Sequence, residues 1–165
     1  MSGDLVSRTI VVSRPRSPDR MPYVMDVEQF LALPLVARVA VIGPDGPTVR
    51  PVWFLYEEGA LWWLTASSYS RLWEWLSADP RVAVTIDTCD LVTGEVLAVS
   101  VTGRANVVAF DAGRAERKLT KYLGPERDRW AARFTGTFDD PTSRLVVLRP
   151  GVAPRLRDLS FSRPS

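Results

Sequence analysis

Apolar positions along this chain recur with two different periods. Val27, Phe30 and Leu31 fall at i, i+3 and i+4, the spacing of one helix face. Asp26 supplies an N-cap and Pro34 a stop, which predicts a short helix over Met25 to Leu33. Leu35 to Ile42, Thr48 to Tyr56 and Ala60 to Ala66 read instead as strands, with Gly43-Pro44-Asp45-Gly46 and Glu57-Glu58-Gly59 as the turns between them. Three β runs in direct succession predict an antiparallel meander. Leu72, Trp75 and Leu76 return to helical spacing over Arg71 to Ala78, with Ser70 as N-cap and Pro80 closing the segment. Val82, Val84 and Ile86 alternate with Ala83, Thr85 and Asp87, as in a half-buried strand. Beyond a Thr93-Gly94 turn, Val96 to Phe110 is a long strand in which Gly103 marks a bulge or bend. Asp111 to Leu123 and Glu126 to Phe134 read as helices. Arg144 to Leu148 and Val152 to Phe161 are the last two strands.

This order gives six to seven strands with short helices between them. An antiparallel barrel closes its own edges within such a length. A doubly wound parallel sheet needs a helix after every strand, and the helices do not alternate that way. The prediction is a mainly β fold with peripheral helices, in one domain over residues 22–165. Residues 1–21, with Pro15 and Pro18 among Arg and Ser, are expected to form a flexible arm.

Composition narrows the chemistry. No stretch is long and apolar enough to span a bilayer. Arg8, Arg14, Arg16 and Arg20 interrupt any apolar secretory block, so a cytoplasmic protein is expected. The 21 basic and 19 acidic residues leave no concentrated basic face for nucleic acid. Histidine is absent, which excludes a Ser-His-Asp triad and His-ligated zinc or haem. No metal site is expected. The one cysteine, Cys89, sits among Asp87 and Asp90 and reads as an inert thiol.

Two segments could carry chemistry. Thr65-Ala66-Ser67-Ser68-Tyr69-Ser70-Arg71 joins a strand to a helix, and hydroxyls with a guanidinium beside a helix start would suit a phosphate. Equally, Ser70 caps the helix and Arg71 is a solvated charge. In Arg50-Pro51-Val52-Trp53-Phe54 the Arg either faces solvent or meets an anion. Pro51 cannot donate to a ladder, so this stretch is an edge or faces a ligand. Trp53, Trp62, Trp63, Trp73 and Trp75 crowd one span. They read as core and interface, or as a surface on which a planar ring stacks.

The ordered set of Pro-Val-Trp-Phe, a strand ending in Thr, a Ser-Arg helix start, Asp-Pro-Arg-Val and Val-Thr-Gly-Arg-Ala resembles the pyridoxamine 5′-phosphate oxidase-like split barrels. It is especially similar to the actinobacterial members that bind FMN or a deazaflavin. The resemblance implies an antiparallel split β-barrel that pairs as a homodimer, with the flavin at the seam. It implies an oxidoreductase moving a hydride between the ring and a small organic substrate, or a flavin-binding protein without turnover. Arg50 matches the strand Arg that meets the flavin phosphate. Pro51, Val52 and Trp53 match the strand beside the ring, and Leu64 and Thr65 the end of the next strand. Ser67, Ser70 and Arg71 match the phosphate-binding segment. Lys121 to Gly124 and Trp130 match the cofactor mouth. Two positions depart from the pattern. Leu72 replaces the Lys of the Ser-Arg-Lys motif, and Ala98 replaces a Gln near the ring. These departures put vitamin oxidase activity in doubt and leave FMN and a deazaflavin as alternative cofactors. Without His, any proton donor is Tyr, Lys, a carboxylate or water.

Overall fold

The computed structural model describes residues 25–161; the expected arm over residues 1–21 lies outside them. Asp26 caps helix α1 (Val27–Ala32) in a capping box with Gln29. Strands β1 (Val36–Gly43) and β2 (Gly46–Trp53) form a hairpin in register from Gly43 and Gly46 to Val36 and Trp53. β3 (Leu55–Glu57) and β4 (Ala60–Ala66) form a second. Its turn places Glu58 and Gly59 both at positive φ, 55° and 69°, the geometry that matches the right-handed twist of the flanking strands.

Helix α2 (Leu72–Ala78), strand β5 (Arg81–Asp90) and strand β6 (Glu95–Val108) follow. Then come α3 (Ala112–Leu123), a 3-10 turn at Arg127–Arg129, the short α4 (Ala132–Thr135), β7 (Ser143–Leu148) and the two-residue β8 (Arg157–Asp158). The antiparallel strand order is β2-β1-β5-β6-β7-β4-β3, with β8 on β6.

This order corrects the meander. β2 and β3 are separated in the chain only by Phe54, yet they lie at opposite ends of the sheet. The sheet therefore rolls until its two ends meet at Phe54, and β2 comes against β4 without pairing to it. The result is a split barrel of eight strands, two of them only two or three residues long.

Three other differences have local causes. Pairing of β5 with β6 runs unbroken from Arg81–Arg104 to Asp90–Glu95, so Gly103 makes no bulge. It lies just before β6 transfers from β5 to β7 at Ala105. A Cβ there would stand 2.8 Å from Leu148 Cδ1, so close packing explains the glycine. Residues 126–134 do not form one helix, because the chain turns at Trp130, which is buried and donates its Nε1–H to the Gly124 carbonyl. The segment 152–161 is strand only at Arg157–Asp158, followed by single backbone bonds from Leu159 N–H to the Val96 carbonyl and from Phe161 N–H to the Gly94 carbonyl.

Inward residues of β1, β4, β5, β6 and β7, including Val39, Trp63, Val84, Val101 and Leu148, fill the barrel with Phe30 and Leu31 of α1 and Leu72 and Leu76 of α2. A second apolar layer of Ala60, Trp62, Leu145 and Val147 lies on the outer face of β4 and β7. Trp62 and Trp63 thus occupy opposite faces, as strand alternation requires. No helix among the described residues is long and apolar enough to cross a membrane.

Candidate functional site

β2 is an edge strand, which accounts for Pro51. Alternation sends Arg50 to the same face as Val52, which packs against the barrel core. The Arg50 guanidinium lies over the Trp75 ring of α2, 4.7 Å from its centroid. It has no carboxylate partner among the described residues. Arg71 precedes the same helix and lines, with Glu74, Trp75, Ile42 and Gly43, a cavity of about 330 Å³. Arg50 thus lies over the indole of a residue that, with Arg71, lines the cavity, although Arg50 itself does not line it.

The loop ahead of α2 is tied down more than its sequence implies. Arg71 itself is the N-cap, and Ser70 Oγ accepts from Leu72 N–H at 3.2 Å. The Arg71 Nε–H donates to Glu74 Oε2 at 2.8 Å, so a carboxylate of this chain already meets that exposed guanidinium. Ser68 Oγ donates to Asp140 at 2.6 Å. The hydrogen bonds from Ser68 and Thr142 hold the Asp140 carboxyl below its ordinary range. Ser67 remains exposed.

Thr65 points into the barrel beside Trp63, and Leu64 points out. Thr65 Oγ1, Trp63 Nε1 and Trp75 Nε1 are buried without hydrogen-bond partners. Orphaned polar atoms of this kind are uncommon, and each calls for an explanation such as a ligand or water. Leu72 is 3% exposed and belongs to the core. Ala98 is buried in β6 between Asp87 of β5 and Arg157 of β8 and offers no polar group.

Trp53 points the other way, toward α3. Its indole stacks on Tyr122 at 4.6 Å with planes 1° apart, and on Phe134 at 5.1 Å. Phe54, outside both flanking strands, has no ladder partner for its backbone. The Tyr122 hydroxyl accepts from Phe54 N–H and donates to the Leu35 carbonyl. Lys121 Nζ donates to the carbonyls of Leu31 and Phe54. Burial pushes the Tyr122 hydroxyl up to about 12. Gly124 ends the helix and Trp130 anchors to it. The segment expected at the cofactor mouth is thus occupied in holding the split of the barrel together.

One turn earlier is Lys118, 5% exposed. Its Nζ stands 5.9 Å from the Trp53 ring centroid and has no hydrogen bond or ion pair among the described residues. Burial pulls its amine down to about 8. Burial, and then the charge of Lys118, brings Lys121 to about 7. Lys118 is not among the site residues predicted from sequence, although its signal is present there. Lys118 and Lys121 are the only two lysines among 21 basic residues, three positions apart. Among the described residues no cluster of His, Cys, Asp and Glu could hold a metal ion.

Residues 24–150 match the family model described as pyridoxamine 5′-phosphate oxidase. No curated protein sequence matches the chain. Among solved structures it is similar to the conserved hypothetical protein Rv2991 from Mycobacterium tuberculosis, with 23% identity and TM-score 0.60, over 90% of this chain and 96% of that one. An F420 reductase is similar over 79% of this chain and 94% of its own, with 21% identity and TM-score 0.53. A FAD-binding protein from Mesorhizobium loti has 20% identity and TM-score 0.56, over 81% and 92%. At these identities the structures speak to the fold alone, whereas the family model covers most of the chain: this protein belongs to the pyridoxamine 5′-phosphate oxidase family of flavin-binding split barrels.

Proposed function

We propose that the protein is a flavin-type oxidoreductase, using FMN or a deazaflavin, that moves a hydride between the ring and a small organic substrate. One observation carries the reading: Arg50 lies over the Trp75 ring with no carboxylate partner among the described residues, and Trp75 also lines a cavity with Arg71, distant from Arg50 in sequence. An unneutralised guanidinium held over an indole face suits a phosphate oxygen. The orphaned Thr65 Oγ1 on the facing strand supplies a polar contact. The similar F420 reductase and FAD-binding protein favour the same ligand class.

Arg50 would hold the phosphate, with Arg71 contributing to the extent that it leaves Glu74. Thr65 would orient the ring from inside the barrel. Val52, on the same inner side as Thr65, would flank it, whereas Leu64 belongs to the outer apolar layer. The cofactor, when bound, supplies the hydride chemistry, and the protein's part is to bind, orient and exclude water. A homodimer with the ring at its seam and a cytoplasmic location complete the proposal.

A second reading, a flavin-binding protein without turnover, rests on Leu72 and Ala98. A core leucine and a buried alanine stand where the family pattern has a cation and an amide. The test is the visible spectrum of the purified protein, followed by titration of cofactor-free protein with FMN, a deazaflavin and riboflavin. Saturable binding that favours a phosphorylated cofactor supports both readings, and steady-state reduction by a nicotinamide then selects the first. A protein that takes up none of the three defeats both.

A further inference from the structure

Helix α3 carries four cations toward the barrel: Arg114, Arg117, Lys118 and Lys121. Three of them are committed. Arg114 donates to Glu57 and Glu58, and Arg117 donates to Glu57. Lys121 holds two backbone carbonyls. The same bonds use up Glu57 and Glu58, while Asp111 lies within ion-pair distance of Arg114. Of the elements around Trp53, α4 adds one more cation, Arg133, over Phe134 at 4.6 Å. Among the described residues Lys118 is left with its side chain buried against an aromatic group and its Nζ not fully enclosed, with positive neighbours and no carboxylate partner.

Burying a cation without a counter-ion is costly. A chain with 19 arginines and two lysines nevertheless does so here with a lysine. The described residues offer no partner that offsets the cost, while Trp53, whose ring centroid is 5.9 Å from the amine, is only half-buried. The cluster therefore reaches the surface.

We propose that Lys118 is the anion-binding donor of a ligand site beside Trp53, and that its ligand presents a carboxylate or phosphate oxygen to Nζ. This goes beyond the flavin reading and does not depend on it. An oxyanion supplies the missing counter-charge to Lys118 and relieves its repulsion with Lys121. Trp53, already stacked on Tyr122 and Phe134, forms the rigid wall of the site rather than a surface onto which the ligand stacks. Binding requires the protonated amine, so it weakens as pH rises through the range where Lys118 titrates.

Because the chain has two lysines, full-length protein labelled with 13C-lysine gives two ε-methylene signals, and these report the site directly. The probes are sodium benzoate and inorganic phosphate, with chloride at matched ionic strength as the control. The expected result is a saturable shift of the Lys118 signal with at least one probe, a rise in its titration midpoint, and about tenfold weaker binding at pH 9 than at pH 7. A response to benzoate alone assigns a carboxylate ligand, and a response to phosphate alone a phosphate. Lys118→Met should abolish the probe-dependent shift that the neighbouring Lys121 signal shows in the wild type. The proposal is overturned if neither probe moves the Lys118 signal beyond the chloride control. It is also overturned if both lysines move equally and without saturation, or if Lys121 in Lys118→Met still titrates with probe as in the wild type. Should that variant not fold, the wild-type titration decides alone.

Discussion

Replacing Lys118 with methionine should make the protein more stable, and the gain should disappear at high pH. The Lys118 amine titrates near 8 in the fold against an ordinary 10.5. The unfolded chain therefore binds more protons between these values, so stability rises with pH across that window. Below the window the whole penalty is present; above it the amine is neutral in both states. The gap corresponds to about 3 kcal/mol at neutral pH. Methionine has similar length and volume and carries no charge, so it keeps most of the packing. Allowing for the lost contact with Trp53, the expected gain at pH 7 is about 1–3 kcal/mol, or about 3–10 °C in Tm. It should shrink steadily from pH 8 and approach zero near 10.5. Lys121 adds an internal check. Part of its depression comes from the charge of Lys118, so its midpoint should rise in the variant. Urea unfolding of both proteins from pH 6.5 to 10 measures the first effect, and lysine-labelled NMR the second. If Lys118→Met is destabilising at pH 7, or if its advantage does not change with pH, the amine has a partner in solution and the argument from an unpaired buried cation is wrong.

Three further outcomes follow from particular contacts. Tyr122→Phe leaves the Phe54 N–H without its acceptor at the point where the barrel closes, so unfolding in urea should show a loss of about 1–3 kcal/mol. Gly103→Ala places a methyl 2.8 Å from Leu148 Cδ1; because Leu148 is fully buried, the expected cost is about 1–3 kcal/mol, and an unchanged Tm would mean that Leu148 can move aside. Arg50→Ala should weaken a phosphorylated flavin by about tenfold or more while leaving riboflavin nearly unaffected, and Arg71→Ala should do less, since Glu74 already competes for it. Fluorescence quenching with both ligands on both variants checks this, and equal losses for FMN and riboflavin would remove the phosphate role from Arg50.

What the chain shows in advance depends on whether a feature is local. β4 is readable to the residue because its ends are set by the Glu58-Gly59 turn and by the polar run after Ala66. The roll of the sheet is not readable. Alternation continues from Val52 through Phe54 to Tyr56 whether the strand goes straight on or, as here, leaves one sheet edge and joins the other; periodicity reports a face and never a neighbour. Residues 126–134 mislead for a related reason. Trp130 and Phe134 are four apart as on a helix, yet one seals the end of α3 and the other stacks on Trp53. For Arg50 the chain allows solvent or an anion, and the structure adds an indole face from a helix that begins more than 20 residues later. Lys118 is the opposite case, since its signal is local. Ala115, Lys118, Leu119 and Tyr122 repeat at i, i+3, i+4 and i+7, so the spacing that builds α3 puts a lysine on its apolar stripe. A guanidinium stays charged at any accessible pH, whereas an ammonium can give up its proton when it is desolvated. Lysine at this position, in a chain whose one other lysine is Lys121, is therefore a residue whose charge can respond to a ligand or to pH. That is a statement about chemistry that hydrophobic periodicity alone could not make.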